Sequence, residues 1–402
     1  MSDKLSNFFN DFIKKEPIFK NKKALQSNYT PNEVPYREKQ IKQVASILAP
    51  ALRSEKPSNV FIYGKTGSGK TCVIQYVTNK ILESAKKNNV ELNIFYLNCK
   101  LKRVADTEYR LIAQLNRMFG IDVPATGLPT DEVYKLFMER LDRKKTLLIL
   151  ILDEIDQLVG KIGDEILYNL TRLNSELKNS ELSLIGISND LVFTDNLDPR
   201  VKSSLSEEEI VFPPYNAVQL QKILKQRSSI AFREEVIGEG VIEKCAAYAA
   251  REHGDARRAL ELLRVAGEIG ERDNKIKIEV KHLDEAEEKI EKDKILDLIT
   301  TQPKQFKITL HSIFKVCLKE SKKVYTGDVY EMYKECCSSS GVKPLTQRRV
   351  SDIIAELDML GIINARVISK GRYGRTREIS LAISKSSVPN INSLLEEGLG
   401  YG

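Results

Sequence analysis

The sequence predicts an α/β P-loop core built on a parallel sheet, followed by an α-helical lid and a C-terminal winged helix-turn-helix. Three observations support this prediction: a glycine-rich loop at residues 64–71, an alternation of short apolar runs with helical stretches over residues 59–212, and a basic hairpin pattern over residues 362–383. Alternating strand and helix patterns are typical of βαβ units, which bury a parallel sheet between helices. The 402 residues are enough for two or three domains.

These patterns divide the chain into five segments. We predict a loose, basic N-terminal arm over residues 1–27 and a nucleotide-binding core over residues 28–214. A helical lid over residues 215–292 and a winged-helix DNA-binding domain over residues 293–384 follow, and residues 385–402 are expected to form a C-terminal tail. Within the core, the apolar runs predict five strands, at residues 59–63, 93–98, 146–152, 183–187 and 209–212.

Composition narrows the kinds of protein that the chain can be. Apolar residues make up 42% of the chain, which is enough for packed cores, and the net charge of +7 is compatible with nucleic-acid binding. The six cysteines form no C-x-x-C pair and there are only three histidines, so we expect neither a zinc site nor a disulfide framework. No apolar run reaches the length of a membrane span. We therefore expect a cytoplasmic, nucleoid-associated protein without a membrane partner.

The loop GKTGSGKT fits the phosphate-binding pattern G-x-x-x-x-G-K-[ST]. The alternative, a chance glycine-rich turn, is disfavoured because an apolar run precedes the loop and a helical stretch follows it. Backbone N–H groups of such a loop and the helix start behind it bind phosphates. We predict that Lys70 reaches the β- and γ-phosphates and that Thr71 binds Mg²⁺. The predicted nucleotide-binding residues of the loop are Gly64, Lys65, Thr66, Gly67, Ser68, Gly69, Lys70 and Thr71.

Polar residues at the ends of two predicted strands supply the candidate catalytic groups. Asp153 and Glu154 follow a continuous apolar run, so we predict that Asp153 holds Mg²⁺ through water and that Glu154 polarises the attacking water. Two adjacent acids could instead cap the next helix. Asn189 follows the apolar run at residues 183–187 and could orient the water, although asparagine is also an ordinary turn residue.

Two arginines outside the predicted sheet are further candidates for catalytic residues. Arg200 precedes the last predicted strand, where it could act in trans on the nucleotide of a neighbouring subunit. A surface salt bridge is the equally weighted alternative for Arg200. Arg257 lies in GDARRAL, which opens a helix of the predicted lid, and could lean over the phosphates. We expect one of Arg257 and Arg258 to be only a solvated helix residue.

The C-terminal pattern predicts a DNA-binding surface. Thr326 is expected to cap one helix, a second helix opens at residues 345–350, and a hairpin over residues 362–383 carries a basic tip. A solvated basic hairpin and a protein-binding winged helix remain alternatives. The polar front of the second helix and the hairpin supply the predicted DNA-binding residues, namely Thr346, Gln347, Arg348, Arg349, Arg366, Lys370, Arg372, Tyr373 and Arg375.

Taken in this order, GKTGSGKT, LILDEID, the asparagine of GISND and GDARRAL resemble an AAA+ ATPase of the initiator branch. More closely, the chain resembles the archaeal single-chain replication initiators, relatives of the origin recognition complex large subunit and of cell division control protein six. The resemblance covers nearly the whole chain, and GDARRAL together with DPRVKSSL is its most specific part. Family members with RVKSR carry a second arginine where this chain has Ser204, which leaves Arg200 as the available arginine finger.

The resemblance implies roles for individual residues. It makes Lys70, Thr71, Asp153 and Glu154 the Walker residues, and Asn189 and Arg257 the sensor residues. It also places a DNA-contacting insertion near residues 106–120. The residues expected to complete the nucleotide site, those of the linker that wraps the adenine among them, are Val34, Tyr36, Arg37, Cys72 and Tyr215.

The implied function is an ATP-dependent, origin-binding replication initiator whose slow ATP hydrolysis acts as a switch. Its expected cofactors are ATP or ADP and Mg²⁺. Its expected partners are double-stranded DNA, the replicative helicase and other initiator paralogues. One alternative is a transcriptional regulator that retains an AAA+ module. A second alternative, a clamp-loader or transposition-helper ATPase, would lack a basic winged helix after the lid.

Overall fold

The computed structural model describes residues 16–26, 29–31, 33–100, 106–124, 126–205, 207–273, 275, 277–319, 323–369, 375–383 and 388–399. The chain forms two compact units, Met1–Ala286 and Glu287–Gly402. The boundary between them falls inside one helix, Val280–Thr301, slightly before the predicted boundary at residue 292. None of the helices in these residues is both long and apolar enough to cross a membrane.

A five-stranded parallel sheet forms the centre of the first unit. Its strands follow the order β2-β3-β4-β1-β5, and every neighbouring pair is parallel. All five predicted apolar runs are strands, so the predicted parallel sheet is confirmed. The inner strand β3 is buried along its whole length, as a strand covered on both faces must be. The strands are β1 (Asn59–Tyr63), β2 (Leu92–Asn98), β3 (Leu147–Asp153), β4 (Glu181–Ser188) and β5 (Glu207–Val211).

Alternating side chains on the strands build two hydrophobic cores, one on each face of the sheet. Phe61 and Leu148 belong to one core, while Val60 and Ile149 belong to the other. The helix Glu38–Leu48 is followed by a 3₁₀ turn, Ala49–Arg53, that contains a proline. The helices are α1 (Glu38–Leu48), α2 (Lys70–Lys87), α3 (Glu108–Met118), α4 (Thr130–Leu141), α5 (Ile155–Ile162), α6 (Glu165–Glu176) and α7 (Pro199–Leu205).

Helices α8 (Ala217–Ala231), α9 (Val241–Arg251) and α10 (Ala256–Arg272) form the predicted lid. Part of the predicted loose N-terminal arm packs against it, which corrects that prediction for residues 16–26. Ile18 and Leu25 are buried, and the rings of Phe19 and Phe232 lie 4.8 Å apart. Lys22 pairs with Glu268 of α10 at 2.7 Å.

The second unit contains the C-terminal part of α11 (Val280–Thr301), the helices α12 (Lys304–Lys319), α13 (Thr326–Ser339) and α14 (Gln347–Met359), and a small antiparallel sheet. The sheet has the order β6-β8-β7, with β6 (Val324–Tyr325), β7 (Ile363–Ser369) and β8 (Arg375–Leu381). The predicted hairpin is confirmed, but the two-residue strand β6 was not predicted.

The prediction that Thr326 caps α13 is wrong. Thr326 is the first residue of the helix rather than its cap. Its hydroxyl accepts a hydrogen bond from the backbone N–H of Arg377 at 3.3 Å, while Asp328 accepts one from the N–H of Tyr325 at 2.8 Å.

The predicted C-terminal tail is also wrong for most of its length, since residues 388–399 form a helix, α15 (Val388–Leu399). Val388, Ile391 and Leu395 are buried in the core of the second unit, and their spacing of three and four residues places them on one helix face. His311 of α12 shares a hydrogen bond of 2.8 Å with Asn392. The serines, asparagines and glycines of this segment concealed the amphipathic pattern.

Candidate nucleotide site and nucleic-acid interface

A cavity of about 330 Å³ lies between the glycine-rich loop, the carboxyl ends of β2, β3 and β4, and the lid. Ligands of open parallel sheets bind at this edge because loops there carry side chains from several strands. The cavity brings together most of the predicted site residues. Those that line it are Val34, Gly67, Gly69, Lys70, Thr71, Cys72, Asp153, Glu154, Asn189, Tyr215 and Arg257.

Two glycines of the loop are required by its contacts. Gly67 and Gly69 have φ angles of +72° and +89°, a region that favours glycine. A Cβ atom at Gly67 would lie 1.7 Å from the carboxylate of Asp255, and one at Gly69 would lie 2.7 Å from the hydroxyl of Tyr215. The lid and the segment after β5 therefore approach the loop as closely as its backbone allows.

Lys70 begins α2 and is held against the loop. Its ammonium group donates to the carbonyls of Gly64 and Lys65 at 2.6 and 3.1 Å and to the amide oxygen of Asn189 at 2.9 Å. Lys70 is only 6% exposed, and burial lowers the pKa of its ammonium group to about 8. The structure thus joins the loop lysine directly to Asn189 of the neighbouring strand, as the sequence predicted for one shared site.

Asp153 lies at the end of β3 beside Thr71. The Thr71 hydroxyl donates to Asp153 Oδ2 at 2.8 Å, and the Tyr96 hydroxyl of β2 donates to the same oxygen at 2.6 Å. The hydroxyl and carboxylate oxygens are the hard donors that Mg²⁺ prefers, so this pair fits the predicted metal. Sequence reasoning missed Tyr96, whose position depends on the register of β2 against β3.

Glu154 has a left-handed backbone, with φ of 57° and ψ of 47°, at the start of α5. Such a conformation is costly for a residue other than glycine and is found at sites that must aim a side chain. Its N–H donates to Asp153 Oδ1 at 2.9 Å, and its carboxylate lies 3.8 Å from the ammonium group of Lys100. The two acids therefore point in different directions from one strand end, which suits two different roles.

The lid reaches the loop through the N-terminus of α10. Asp255 caps this helix by accepting from the N–H of Arg257 at 2.7 Å, and the N–H of Ala256 donates to the carbonyl of Gly67 at 3.3 Å. Arg257 lines the cavity. Arg258 is 6% exposed and pairs with Glu252 at 3.0 Å, so the expectation that one of the two arginines is only solvated is wrong for Arg258.

Arg37 supports the loop from behind instead of lining the cavity, which corrects its expected contact with the adenine. It is buried, donates to the carbonyls of Ser68 and Pro213 at 2.9 and 2.5 Å, and stacks on the ring of Tyr215 at 4.0 Å. The ring of Tyr36 lies below the ammonium group of Lys222 at 5.4 Å. Five further predicted residues also lie outside the cavity wall: Tyr36, Gly64, Lys65, Thr66 and Ser68.

Sequence reasoning also missed Tyr29 and Arg227, which line the same cavity as Val34 and Pro35. Arg227 of α8 donates to the carbonyl of Tyr29 at 3.1 Å, and its guanidinium group lies 4.5 Å from the ring centroid of Tyr29. No local pattern identifies this pair, because the two residues meet only when the N-terminal segment lies along the lid.

Arg200 lies away from the cavity, at the start of α7. Its side chain is 86% exposed and pairs with Asp198 at 3.1 Å. The structure therefore contains the surface salt bridge that was one of the two alternatives for Arg200. An exposed guanidinium group also remains accessible to a neighbouring molecule.

The second unit places the predicted DNA-binding residues of α14 on its surface. Thr346, Gln347, Arg348 and Arg349 are exposed, and Arg349 makes a loose contact with Asp352 at 3.7 Å. Arg366 of β7 is exposed as well. Lys370, Arg372 and Tyr373 lie outside the described residues, and for Arg375 only the backbone, at the start of β8, is described.

Arg377, which the sequence groups with the basic residues of the hairpin, has an internal role. Its guanidinium group donates to the carbonyl of Ser351 on α14 at 2.5 Å, and its N–H donates to Thr326. Arg377 therefore fixes the hairpin against α14, whereas the side chain of Arg366 is exposed.

Three family models match the chain in the order of its segments. An ATPase domain predominantly from Archaea matches residues 36–196, a Cdc6 AAA+ ATPase-type lid domain matches residues 221–288, and the C-terminal winged helix domain of CDC6 matches residues 297–390. The predicted AAA+ core, lid and winged helix are thereby confirmed.

Curated relatives match over almost the entire chain. An ORC1-type DNA replication protein of Thermococcus onnurineus is 52% identical over 391 residues, which cover 96% of this chain and 94% of the relative. ORC1-type DNA replication protein 1 of Methanosarcina mazei is 50% identical over 395 residues, which cover 98% and 94% of the two chains.

Solved structures agree with these matches. The Aeropyrum pernix ORC1 protein, solved in complex with DNA, shares 44% identity and a TM-score of 0.81, covering 94% of this chain and 98% of that one. The Aeropyrum pernix ORC2 protein shares 20% identity, covering 96% of this chain and 100% of that one, and with a TM-score of 0.60 supports the fold alone. By its family models and its relatives over nearly its whole length, the chain belongs to the family of archaeal ORC1-type DNA replication proteins, relatives of Cdc6.

Proposed function

We propose that this protein is an ATP-dependent replication initiator that binds double-stranded DNA at replication origins. The observation that carries the proposal is the combination, in one ORC1-type chain, of a lid-covered P-loop cavity with a winged helix that exposes two adjacent arginines on α14. The DNA complex of the Aeropyrum pernix relative, at 44% identity, supports DNA as the ligand of the second unit.

In this proposal the cavity binds ATP or ADP. The glycine-rich loop holds the phosphates, Lys70 contacts the β- and γ-phosphates, and Val34 with Tyr215 borders the nucleoside. Glu154 polarises water for attack on the γ-phosphorus, the bond to the β-phosphate oxygen breaks, and ADP and phosphate leave. Asn189 orients the water, and Arg257 contributes positive charge from the lid.

Thr71 and Asp153 are the residues that would hold Mg²⁺. When bound, the ion neutralises part of the phosphate charge. The shared hydrogen bond between Thr71 and Asp153 and the bond from Tyr96 keep these oxygens oriented for that task.

The DNA surface combines α14 and the hairpin. Thr346, Gln347, Arg348 and Arg349 suit the major groove, where arginine and glutamine can pair with base edges. The remaining predicted contacts come from the hairpin and would bind phosphates or an adjacent groove: Arg366, Lys370, Arg372, Tyr373 and Arg375.

Finer parts of the proposal concern the cycle and its partners. We infer a slow, switch-like ATPase whose nucleotide state sets the readiness to load the replicative helicase, together with other initiator paralogues at the nucleoid. The exposed Arg200 suits an arginine finger that acts on a neighbour's nucleotide, once its pair with Asp198 opens.

Genome-wide mapping of the DNA sites that the protein occupies, together with mapping of replication starts, tests the proposal. We expect occupied sites to coincide with replication starts. Occupancy of promoters without a replication start would contradict the initiator function and favour a transcriptional regulator that keeps an AAA+ module.

A further inference from the structure

Arg227 combines three properties that its contacts with Tyr29 do not explain. It is 7% exposed, it lines the nucleotide cavity, and its Nη1 atom is buried without a hydrogen-bond partner among the described residues. Burying a charged donor without a partner is costly. A ligand that enters the cavity would relieve this cost.

The chemistry around Arg227 indicates what that ligand group must be. Among the described residues no carboxylate pairs with the guanidinium group, whose neighbours are the carbonyl and the ring of Tyr29. An uncompensated buried cation favours an anion over a neutral base or sugar. The anionic part of a nucleoside di- or triphosphate is its phosphate chain.

The position of Arg227 indicates which phosphate of the nucleotide it can reach. Ile223, one helical turn earlier on α8, and Arg227 both line the cavity. Val34 lines a second cavity together with Lys222 and Gln226 of the same helix, so this part of α8 lies near Val34. Cys72 also lines the cavity and directly follows Thr71, in the loop-to-helix region whose N–H groups bind the α- and β-phosphates. Burial raises the pKa of the Cys72 thiol, and the positive charge of Arg227 opposes this shift, so Arg227 lies within electrostatic range of Cys72.

We propose that Arg227 binds the α-phosphate of the adenine nucleotide through Nη1. This inference rests on the proposed nucleotide binding and adds a residue to it. Because Nη2 of the same group holds the carbonyl of Tyr29, the α-phosphate, the lid helix α8 and the N-terminal segment would be joined by one side chain. An arginine at the α-phosphate would serve ATP and ADP equally, whereas groups at the γ-phosphate serve ATP alone.

The test uses calorimetry to measure the ADP affinity of three full-length proteins. These are the wild type, Arg227→Gln and Arg258→Gln. Arg258 is the matched control because it is an equally buried lid arginine that pairs with Glu252 instead of lining the cavity. We expect Arg227→Gln to weaken ADP binding about ten- to a hundred-fold, the range of a charge-assisted hydrogen bond. Arg258→Gln should bind ADP as the wild type does, whatever its thermal stability.

A second ligand separates a phosphate contact from a structural role. An ADP analogue with a neutral methylphosphonate at the α-position should lose affinity for the wild type, and this loss should be about ten-fold smaller in Arg227→Gln. Equal losses in both proteins, or unchanged ADP affinity in Arg227→Gln, would overturn the inference. If Arg227→Gln does not fold, Arg227→Met, which also removes the charge, replaces it in the same cycle, with the same outcomes.

The same experiment distinguishes this inference from the proposed function. A wild-type protein that binds no ADP would contradict the nucleotide site as a whole. A wild-type protein that binds ADP, beside an Arg227 variant that binds it as tightly, would contradict only the role of Arg227.

Discussion

The nucleotide cavity and the surface of the winged helix both present basic side chains suited to phosphates, yet they do so in opposite ways. Lys70 is buried and fixed by three acceptors, whereas Arg349 is 73% exposed and forms a loose ion pair with Asp352. A desolvated, oriented cation concentrates its binding energy in a few contacts. Exposed cations bind DNA largely by releasing counterions, so their contribution is spread over many residues and depends on salt.

The difference predicts the largest effect for Lys70→Ala, which should reduce ADP affinity about a thousand-fold, because a buried charge-assisted contact to the β-phosphate is lost. Calorimetry measures this affinity. DNA affinity measured without nucleotide should not change. Lys80→Ala, at an exposed position on the same helix, is the control, and ADP affinity retained in Lys70→Ala would refute the assigned loop.

Glu154→Gln should reduce the rate of ATP hydrolysis about a hundred-fold or more, as expected for the loss of a general base. Its ADP affinity should stay within about two-fold of the wild type, because the neutral amide keeps the shape of the side chain. Phosphate release measures the rate. Glu176→Gln, an exposed change on α6, should hydrolyse ATP normally, and a normal rate in Glu154→Gln would remove Glu154 as the base.

The double variant Arg372→Ala, Arg375→Ala tests whether the winged helix binds DNA through salt-dependent contacts with phosphates. We expect DNA affinity to fall about ten-fold, and the slope of log affinity against log salt to become shallower by about two. Fluorescence anisotropy over a series of salt concentrations provides both values. Lys334→Ala, on α13 beside Glu331, should leave the slope unchanged. An unaltered slope in the double variant would show that the hairpin tip does not contact phosphates.

Within the hairpin, Arg377 and Arg366 allow an arginine bonded within the fold to be compared with an exposed one. Arg377→Ala should reduce the free energy of opening of β7 and β8 by about 1–2 kcal/mol, because the carbonyl of Ser351 loses its donor. Arg366→Ala should leave that free energy unchanged and reduce the salt slope by about one. Native-state hydrogen exchange measures the first quantity, and equal effects of both variants on it would contradict the internal role of Arg377.

The smallest predicted effect is a proton linkage at the buried site. With a pKa of about 8, Lys70 is half protonated at pH 8, and bound phosphates favour its charged form. ADP binding should therefore take up about half a proton at pH 8, and affinity should fall as the pH rises from about 7 to 9. Calorimetry in buffers of different ionisation enthalpy measures the uptake. Lys70→Arg should abolish it, because arginine stays charged, and the absence of uptake in the wild type would contradict the lowered pKa.

Much of the nucleotide site could be predicted because its parts are local. The loop pattern and the strand ends carry Lys70, Asp153 and Glu154, and both patterns are complete within a few residues of sequence. Asn189 could be added because parallel strands deliver their carboxyl ends to one edge of the sheet, and its bond to Lys70 confirms that they meet.

Other parts depended on contacts between distant segments. Arg37 and Ser68 are 31 residues apart, and Arg227 and Tyr29 are 198 apart, so no window of sequence contains either pair. The helix α15 was missed because its apolar residues are diluted by small and polar ones, and its burial against α12 stabilises it more than its own helix propensity does.

The sequence by itself determined most of the elements, the order of the segments and the chemistry of the loop, because these depend on backbone preferences and apolar periods over short stretches. Tertiary structure alone decided the strand order β2-β3-β4-β1-β5, the inward role of Arg37 and Arg377, and the donor of Arg227 that has no partner among the described residues. The physical reason is that desolvation and partner choice are properties of the packed chain. A guanidinium group has the same chemistry in any sequence, and its surroundings in the fold determine whether it braces a loop, fixes a hairpin or binds a ligand.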